Sequence, residues 1–95
     1  MQEVLTPLAA AALFGKSGEA VRLAARLGHV HAPVSFYLGS KEIRCIDLQS
    51  AIGYWNGGGH KNIDADLEEM RFYGVTISDS SGLSYKVLTP FAAMQ

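Results

Sequence analysis

Residues 62–88 read NIDADLEEMRFYGVTISDSSGLSYKVL, and this stretch decides the fold that the sequence predicts. Asn62 is a typical helix-capping residue, and the apolar residues after it recur at the spacing of one buried helical face. The inward-facing residues would be Ile63, Leu67 and Met70. Gly74 would end the helix, and alternating apolar residues on both sides of the turn Asp79–Gly82 predict a hairpin. The stretch therefore predicts an amphipathic helix that leads directly into two paired strands.

Two helices are expected near the start of the chain. Thr6 can cap the first, with Pro7 at its first helical position, and Ser17 can cap the second, which Gly28 would end. The helical spacing predicts that the second helix buries a face made of Ala20, Leu23, Ala24 and Leu27. Its opposite face would then be charged and exposed to solvent.

A hairpin and a third helix are expected between these two regions. Val34–Leu38 and Ile43–Ile46 have the residue types of paired strands, with residues 39–42 as the turn. Asp47 can cap the third helix, whose buried face would be Leu48, Ala51, Ile52 and Trp55. We therefore predict a single α+β domain over residues 1–95, with about four helices and one or two β-hairpins.

Composition limits the classes of protein to which the chain can belong. Its 95 residues are 48% hydrophobic, which suits one packed domain. The longest apolar run, Leu8 to Phe14, is too short to cross a bilayer, and no signal peptide is expected. The single Cys45 excludes an internal disulfide. We therefore predict a cytoplasmic protein with no membrane segment.

The charge of the chain is unevenly distributed. The formal net charge is −1, which is less basic than is usual for a dedicated nucleic-acid binder. Residues 1–46 carry five basic and three acidic side chains, whereas residues 47–95 carry three basic and six acidic ones. This asymmetry would allow one face to meet phosphate and another to meet protein.

A pattern of core and turn residues runs through the carboxy-terminal half. It consists of Asp47-Leu48-x-x-Ala51-Ile52-x-x-Trp55, Ile63-x-x-x-Leu67-x-x-Met70-Arg71, Tyr73-Gly74-Val75-x-Ile77, Gly82 and Tyr85-Lys86-Val87. This pattern resembles the winged helix-turn-helix domains of two-component response regulators and of biotin-repressor proteins. The resemblance implies that the helix after Asn62 enters the major groove of DNA while the hairpin lies along the phosphates.

The amino-terminal half carries a second pattern. Ala11-x-x-x-Gly15-x-Ser17-x-x-x-Val21-x-x-Ala24 is similar to the helix-turn-helix core of excisionase-type and MerR-type regulators. In that family a small hairpin, here Val34 to Ile46, and a capped helix follow. Lys16 departs from the family pattern, in which this position is apolar. This resemblance implies that the second helix reads DNA.

The two resemblances place DNA contacts on different helices, and the sequence leaves the choice open. Charge favours the second helix, because carboxylates on the outward side of the fourth would be repelled by phosphate. The first set of candidate DNA contacts is Lys16, Arg22 and Arg26. The second set is His60, Lys61, Asn62, Arg71 and Lys86. Either set predicts a protein that binds double-stranded DNA, as a small transcriptional regulator or an accessory factor of a phage, plasmid or other mobile element.

The alternative function is contact with another protein, including a second copy of the chain. Phe72 falls on the polar side of the fourth helix, where an exposed aromatic ring among carboxylates suits a protein interface. The predicted contact face is Asp64, Glu68, Glu69 and Phe72.

No group of residues in the sequence indicates an enzyme or a metal site. Three histidines and one cysteine are present, but their spacing is not that of a structural zinc site. No nucleophile has an identifiable base, and Cys45 is expected to face the core. We therefore predict no catalytic residue, no metal and no cofactor.

Overall fold

The computed structural model describes residues 1–57, 59 and 61–90 of the chain, so the candidate DNA contact His60 lies outside the described residues. The order of the elements is β1 (Gln2–Leu5), α1 (Pro7–Phe14), α2 (Gly18–Arg26), β2 (Val34–Leu38), β3 (Lys41–Asp47), α3 (Leu48–Trp55), α4 (Asp64–Phe72), β4 (Val75–Ser78) and β5 (Ser84–Leu88). The predicted α+β class with four helices is confirmed over these residues.

The five strands form one mixed sheet in the order β2-β3-β1-β5-β4. The prediction of one or two hairpins was therefore incomplete, because β1 joins the two hairpins into a single sheet. Leu5 of β1 lies opposite Ile46 in the antiparallel pairing with β3, and opposite Leu88 in the parallel pairing with β5. A strand of four residues has too little periodicity to be recognised from sequence, and its two neighbours stabilise it here.

Both faces of β1 are buried. Leu5 packs with the helices in the main core, which also contains Leu13, Ile46 and Leu88. Its neighbour Val4 points to the other side of the sheet, as strand geometry requires, and packs in a second cluster. The buried members of that cluster are Val4, Cys45, Tyr85 and Val87. The predicted burial of Cys45 is confirmed.

Short polar side chains begin the first three helices as the sequence predicts. The Thr6 and Ser17 hydroxyls accept from the amides of Ala9 and Ala20, each at 3.1 Å. Asp47 accepts from the amide of Ser50 at 2.9 Å.

The fourth helix begins later than the sequence predicts. Its N-cap is Ile63, and Asn62 lies one residue earlier, where its side-chain oxygen accepts from the Asp64 amide at 3.0 Å. The predicted inward residues of α4 are buried.

The predicted buried face of α2 is confirmed only at Ala24, since Ala20, Leu23 and Leu27 are exposed. The structure buries Val21 and Ala25 together with Ala24, because these small side chains pack against the alanine-rich helix α1. This face is rotated by about one residue, or roughly 100°, from the predicted one. Leu23 and Leu27 are consequently exposed, at 43% and 59% of their surface.

The turn of the first hairpin is tighter than predicted. Leu38 pairs with Lys41, so that only Gly39 and Ser40 form the turn. Gly39 has φ of +63°, a conformation that glycine adopts without strain. Lys41 and Glu42 therefore belong to β3 rather than to a loop.

The second hairpin agrees with the sequence-based interpretation. Val75 pairs with Val87 and Ile77 with Tyr85. The Asp79 carboxylate accepts from the amides of Ser81 and Leu83, which fixes the turn. No helix in the described part of the chain is long and apolar enough to cross a membrane.

Candidate functional site

A groove with a volume of about 920 Å³ separates α2 from the hairpin formed by β2 and β3. Its apolar lining includes Leu8, Leu23, Phe36, Leu38 and Ile43. The basic residues of its lining are Arg22 and Arg26 from α2, and Lys41 and Arg44 from β3, whose side chains alternate to opposite faces of the hairpin. Two of the candidate DNA contacts thus lie in one concave surface with two basic residues of the neighbouring hairpin.

The groove is positively charged although the chain as a whole is not. Four basic residues belong to its lining against two acidic ones, Glu19 and Glu42, while the formal net charge of the chain is −1. The Ser35 hydroxyl donates to Glu42 at 3.0 Å. Within residues 1–57, 59 and 61–90, the only ion pair joins Arg71 to Glu3, so none of the four basic groups of the groove is paired there. Their charges are available to an anion from outside the chain.

The position of the Arg22 side chain adds to this positive potential. Its guanidinium lies over Gly18, the first residue of α2, because a Cβ built on Gly18 would be 3.2 Å from a guanidinium nitrogen. The amino end of a helix already carries a partial positive charge from its unpaired amides. The Arg22 guanidinium has the same sign of charge as this helix end, and together the two attract a phosphate more strongly than the helix end alone.

Lys16 lies outside the groove lining. It is exposed in the turn between α1 and α2, two residues before Gly18. Its backbone amide donates to the Ala11 carbonyl at 2.9 Å, which holds the turn and leaves the side chain in solvent.

Three described members of the second set of candidate DNA contacts make contacts within the protein. Arg71 donates twice to Glu3, at 2.7 and 2.8 Å, and this hydrogen bonding lowers the pKa of the Glu3 carboxyl below its ordinary value. The Lys61 ammonium donates to the Leu13 carbonyl at 3.2 Å, and Asn62 binds the first turn of α4. These residues hold α4 in place.

Lys86, the remaining described member of the second set, lies half-buried on β5. Its side chain passes close to Gly74, where an added Cβ would be 3.0 Å from the Lys86 Cε. Neither Lys86 nor any other described member of this set lines the groove. The structure therefore does not bring the two sets together.

Sequence reasoning missed Lys41, Arg44 and the apolar lining of the groove. A signal was present, because the amino-terminal resemblance places a hairpin directly after the helix that carries Arg22 and Arg26. The sequence patterns predict Lys41 in a turn and Leu23 in the core. Both predictions are wrong, and neither residue is therefore expected in a groove. Correct placement of the turn and of the α2 face would have identified it.

The acidic face of α4 lies elsewhere on the molecule. The predicted exposure of Phe72 is confirmed, since 80% of its surface is accessible. Glu68 and Glu69, one turn earlier and on the same side of the helix, are exposed as well. Asp64, also exposed, begins the helix at the edge of this face. We refer to Glu68, Glu69 and Phe72 as the α4 face.

The histidines and the cysteine that the structure describes are not grouped as metal ligands. No three His, Cys, Asp or Glu residues in the described ranges are close enough to hold a metal ion. The ring of His29 stacks on Tyr54 at 5.5 Å. Burial raises the pKa of the Cys45 thiol to about 12, which keeps it protonated and unreactive.

Comparison of the chain with models of known protein families, with curated proteins and with solved structures found no match. The functional assignment therefore depends on the groove and on the α4 face.

Proposed function

We propose that this protein binds double-stranded DNA through the groove between α2 and the β2–β3 hairpin. In this proposal α2 enters the major groove, as the resemblance to excisionase-type and MerR-type regulators implies, and the hairpin lies against the adjacent phosphates. The observation that carries it is the presence of four basic side chains, on two elements, without an acidic partner in the described residues. The biological role would be that of a cytoplasmic transcriptional regulator or a mobile-element accessory factor.

The element order fits both resemblances, since α3, α4 and the β4–β5 hairpin also follow each other, but charge favours the amino-terminal one. Two helices, a hairpin and a capped third helix follow each other from Pro7 to Trp55, which is the order of excisionase-type and MerR-type domains. Val21, which that resemblance places beneath the turn, is fully buried. Helix α4 is the weaker candidate reader, since its exposed acids would face the phosphates.

Binding that uses four phosphate contacts has a measurable salt dependence. Each neutralised phosphate releases condensed counterions, so the logarithm of the affinity should fall with the logarithm of salt concentration with a slope of about −3.6. The test is fluorescence anisotropy with a labelled mixed-sequence duplex, repeated across a salt series. Replacement of Arg22 and Arg26 by Ala should weaken binding by about tenfold or more and reduce the slope by about 2.

A charge-matched control makes this test specific for the groove. The double variant Lys61→Ala/Lys86→Ala removes two positive charges from outside it. Thermal melting must show that this variant is folded, because Lys61 also donates to the Leu13 carbonyl. Its duplex affinity should change by less than about threefold at physiological salt, where distant charges are screened. Equal losses for the two double variants would mean that the groove is not the contact surface. An affinity of the unmodified protein that ignores salt would contradict DNA binding through phosphates altogether.

A second candidate function is protein binding through the α4 face. The observation that favours it is the exposure of Phe72 beside Glu68 and Glu69, since a large exposed aromatic side chain is typical of interface anchors. Phe72→Ala should weaken self-association or partner binding while the melting temperature stays within a few degrees. If the substitution unfolds the domain, the ring has a structural role and this candidate fails.

A further inference from the structure

We propose that the α4 face of one copy docks into the groove of a second copy, so that the chains associate head to tail. This inference rests on the protein-contact role proposed above for the α4 face. It assigns the partner, which is the basic groove of another molecule of the same chain. The juxtaposition is between Phe72 with its two glutamates and the surface between α2 and the β2–β3 hairpin.

The apolar parts of the two surfaces are complementary. Phe72 projects from the end of α4, and the groove offers an apolar lining in which Leu38 is 62% exposed and Leu23 is accessible as well. Its volume is of the order found for pockets that accept much larger ligands than one aromatic ring. Docking would remove apolar surface from water on both copies.

The charges of the two surfaces are opposite as well. Glu68 and Glu69 precede Phe72 by four and three residues, which places them one turn before it on the same side of the helix. The groove carries two basic residues of α2, Arg22 and Arg26, and two of β3, Lys41 and Arg44. None of the four forms an ion pair in the described residues. An aromatic anchor beside two carboxylates therefore meets an apolar surface bordered by cations.

Charge also determines the symmetry of the contact. Pairing of two α4 faces, or of two grooves, would bring like charges together and is disfavoured. No α4 residue lines the groove of its own chain. Contact between different surfaces on two copies is heterologous, so an open chain of copies keeps one free groove and one free α4 face, whereas a ring of copies keeps neither. Because the groove is also the proposed DNA surface, self-association and DNA binding compete for it.

Two variants with complementary defects test the proposal. Phe72→Ala removes the anchor and leaves the groove intact, whereas Arg22→Glu/Arg26→Glu reverses the groove and leaves the α4 face intact. Sedimentation velocity of the unmodified protein should show a mass that rises with concentration at about 0.1 M salt, and less so at 1 M, where the Debye length falls from about 10 Å to about 3 Å. Each variant alone should associate more than about tenfold more weakly.

An equimolar mixture of the two variants gives the decisive result. One intact groove and one intact α4 face remain in the mixture, so a dimer of twice the monomer mass should form and should not grow further. Leu83→Ala, which truncates an apolar side chain exposed on the other hairpin, is the matched control and should associate like the unmodified protein. Far-UV circular dichroism and thermal melting establish that each variant is folded.

The remaining outcomes separate the proposals from one another. If the mixture stays monomeric, or the unmodified protein is monomeric at all concentrations, head-to-tail docking is wrong. If Phe72→Ala abolishes association and the groove variant does not, the α4 face binds protein but its partner surface is not the groove. Duplex binding by the Phe72→Ala variant reports on DNA binding independently, since that residue lies outside the groove.

Discussion

The molecule contains two regions in which a helix is associated with a hairpin, and their basic residues have different partners. Around α2 and the β2–β3 hairpin, the four basic side chains of the groove are unpaired in the described residues. Around α4 and the β4–β5 hairpin, Arg71 binds Glu3 and Lys61 binds the Leu13 carbonyl. A basic residue therefore indicates a ligand only when no acidic or carbonyl group of the protein already binds it.

The two helices also differ in how many of their large apolar side chains are exposed to solvent. Helix α4 buries Leu67 and Met70, and its one exposed large apolar side chain is Phe72 at its end. Helix α2 buries small residues and leaves Leu23 and Leu27 in solvent. Exposed leucines beside unpaired arginines make the α2 region the better candidate for an interface.

The largest expected effect is a difference in the reactivity of the Cys45 thiol, which tests whether the first hairpin opens independently of the second region. Cys45 lies on β3 in a cluster with Tyr85 and Val87 of the other hairpin, and its raised pKa leaves almost no thiolate at pH 8. Reaction with a thiol reagent in the folded protein should therefore be more than about 10³-fold slower than in an unfolded chain, whose thiol has an ordinary pKa. The rate of absorbance change with a chromogenic disulfide measures this ratio. Rapid labelling with unchanged circular dichroism would show that the first hairpin opens alone.

The next effect tests whether the two regions fold as one unit. Leu5 is fully buried on β1, the strand to which both hairpins are joined. Leu5→Ala should lower the free energy of unfolding by about 3–4 kcal/mol, from lost burial and the cavity that remains. Urea unfolding followed by Trp55 fluorescence and by circular dichroism should give coincident transitions. Separate transitions would mean that the two regions are independent, and the exposed Leu83→Ala control should change stability by less than about 0.5 kcal/mol.

Most of this fold was predictable from the sequence. The capping hydroxyls of Thr6 and Ser17, the cap at Asp47 and the second hairpin follow from local chemistry that acts within a few residues. The strand β1 was not predictable, because Gln2–Leu5 acquires its structure from partners more than forty residues away in the chain. Local patterns predict elements, whereas pairing between distant strands depends on the whole fold.

The groove was less predictable than the fold. Arg22 and Arg26 were identified from their spacing, but the contribution of Lys41 and Arg44 required the tight Gly39–Ser40 turn that places Lys41 in a strand. Arg71 shows the opposite error, since nothing in the sequence indicates that its partner is Glu3, 68 residues away. Charges that are close in space and remote in sequence cannot be paired without the sheet.

Single lysines from the two hairpins allow a matched comparison of DNA contacts. Lys41 lines the groove, whereas Lys86 lies on β5 with its side chain against Gly74. Lys41→Ala should weaken duplex binding by about 1 kcal/mol and reduce the salt slope by about 1, as expected for one lost phosphate contact. Lys86→Ala should change the affinity by less than about twofold. Anisotropy titrations of both variants measure the difference, and a larger loss for Lys86→Ala would transfer the DNA contact to the second hairpin.

The smallest effect tests whether Arg71 is engaged by the fold. Hydrogen bonding from Arg71 lowers the pKa of Glu3, so the carboxylate form stabilises the folded protein. That stability is fully present above the ordinary glutamate pKa of about 4.3, and it is lost as pH falls through the lowered value. Because both side chains are partly exposed, Glu3→Gln should reduce the free energy of unfolding by less than about 1 kcal/mol at pH 7.

At about pH 3 the difference between Glu3→Gln and the unmodified protein should shrink, because protonation of Glu3 removes the same charge as the substitution. Urea unfolding at both pH values measures it, with Glu69→Gln as a control that removes an exposed carboxyl without an ion pair in the described part of the chain. Glu3→Gln also removes the carboxylate that neutralises the Arg71 guanidinium. If duplex affinity rises in this variant, the pairing with Glu3 is what keeps Arg71 from contacting DNA in the unmodified protein. Helix α4 then carries a cation that DNA can use. If affinity is unchanged, the outward acids of α4 are sufficient to keep DNA on the α2 groove.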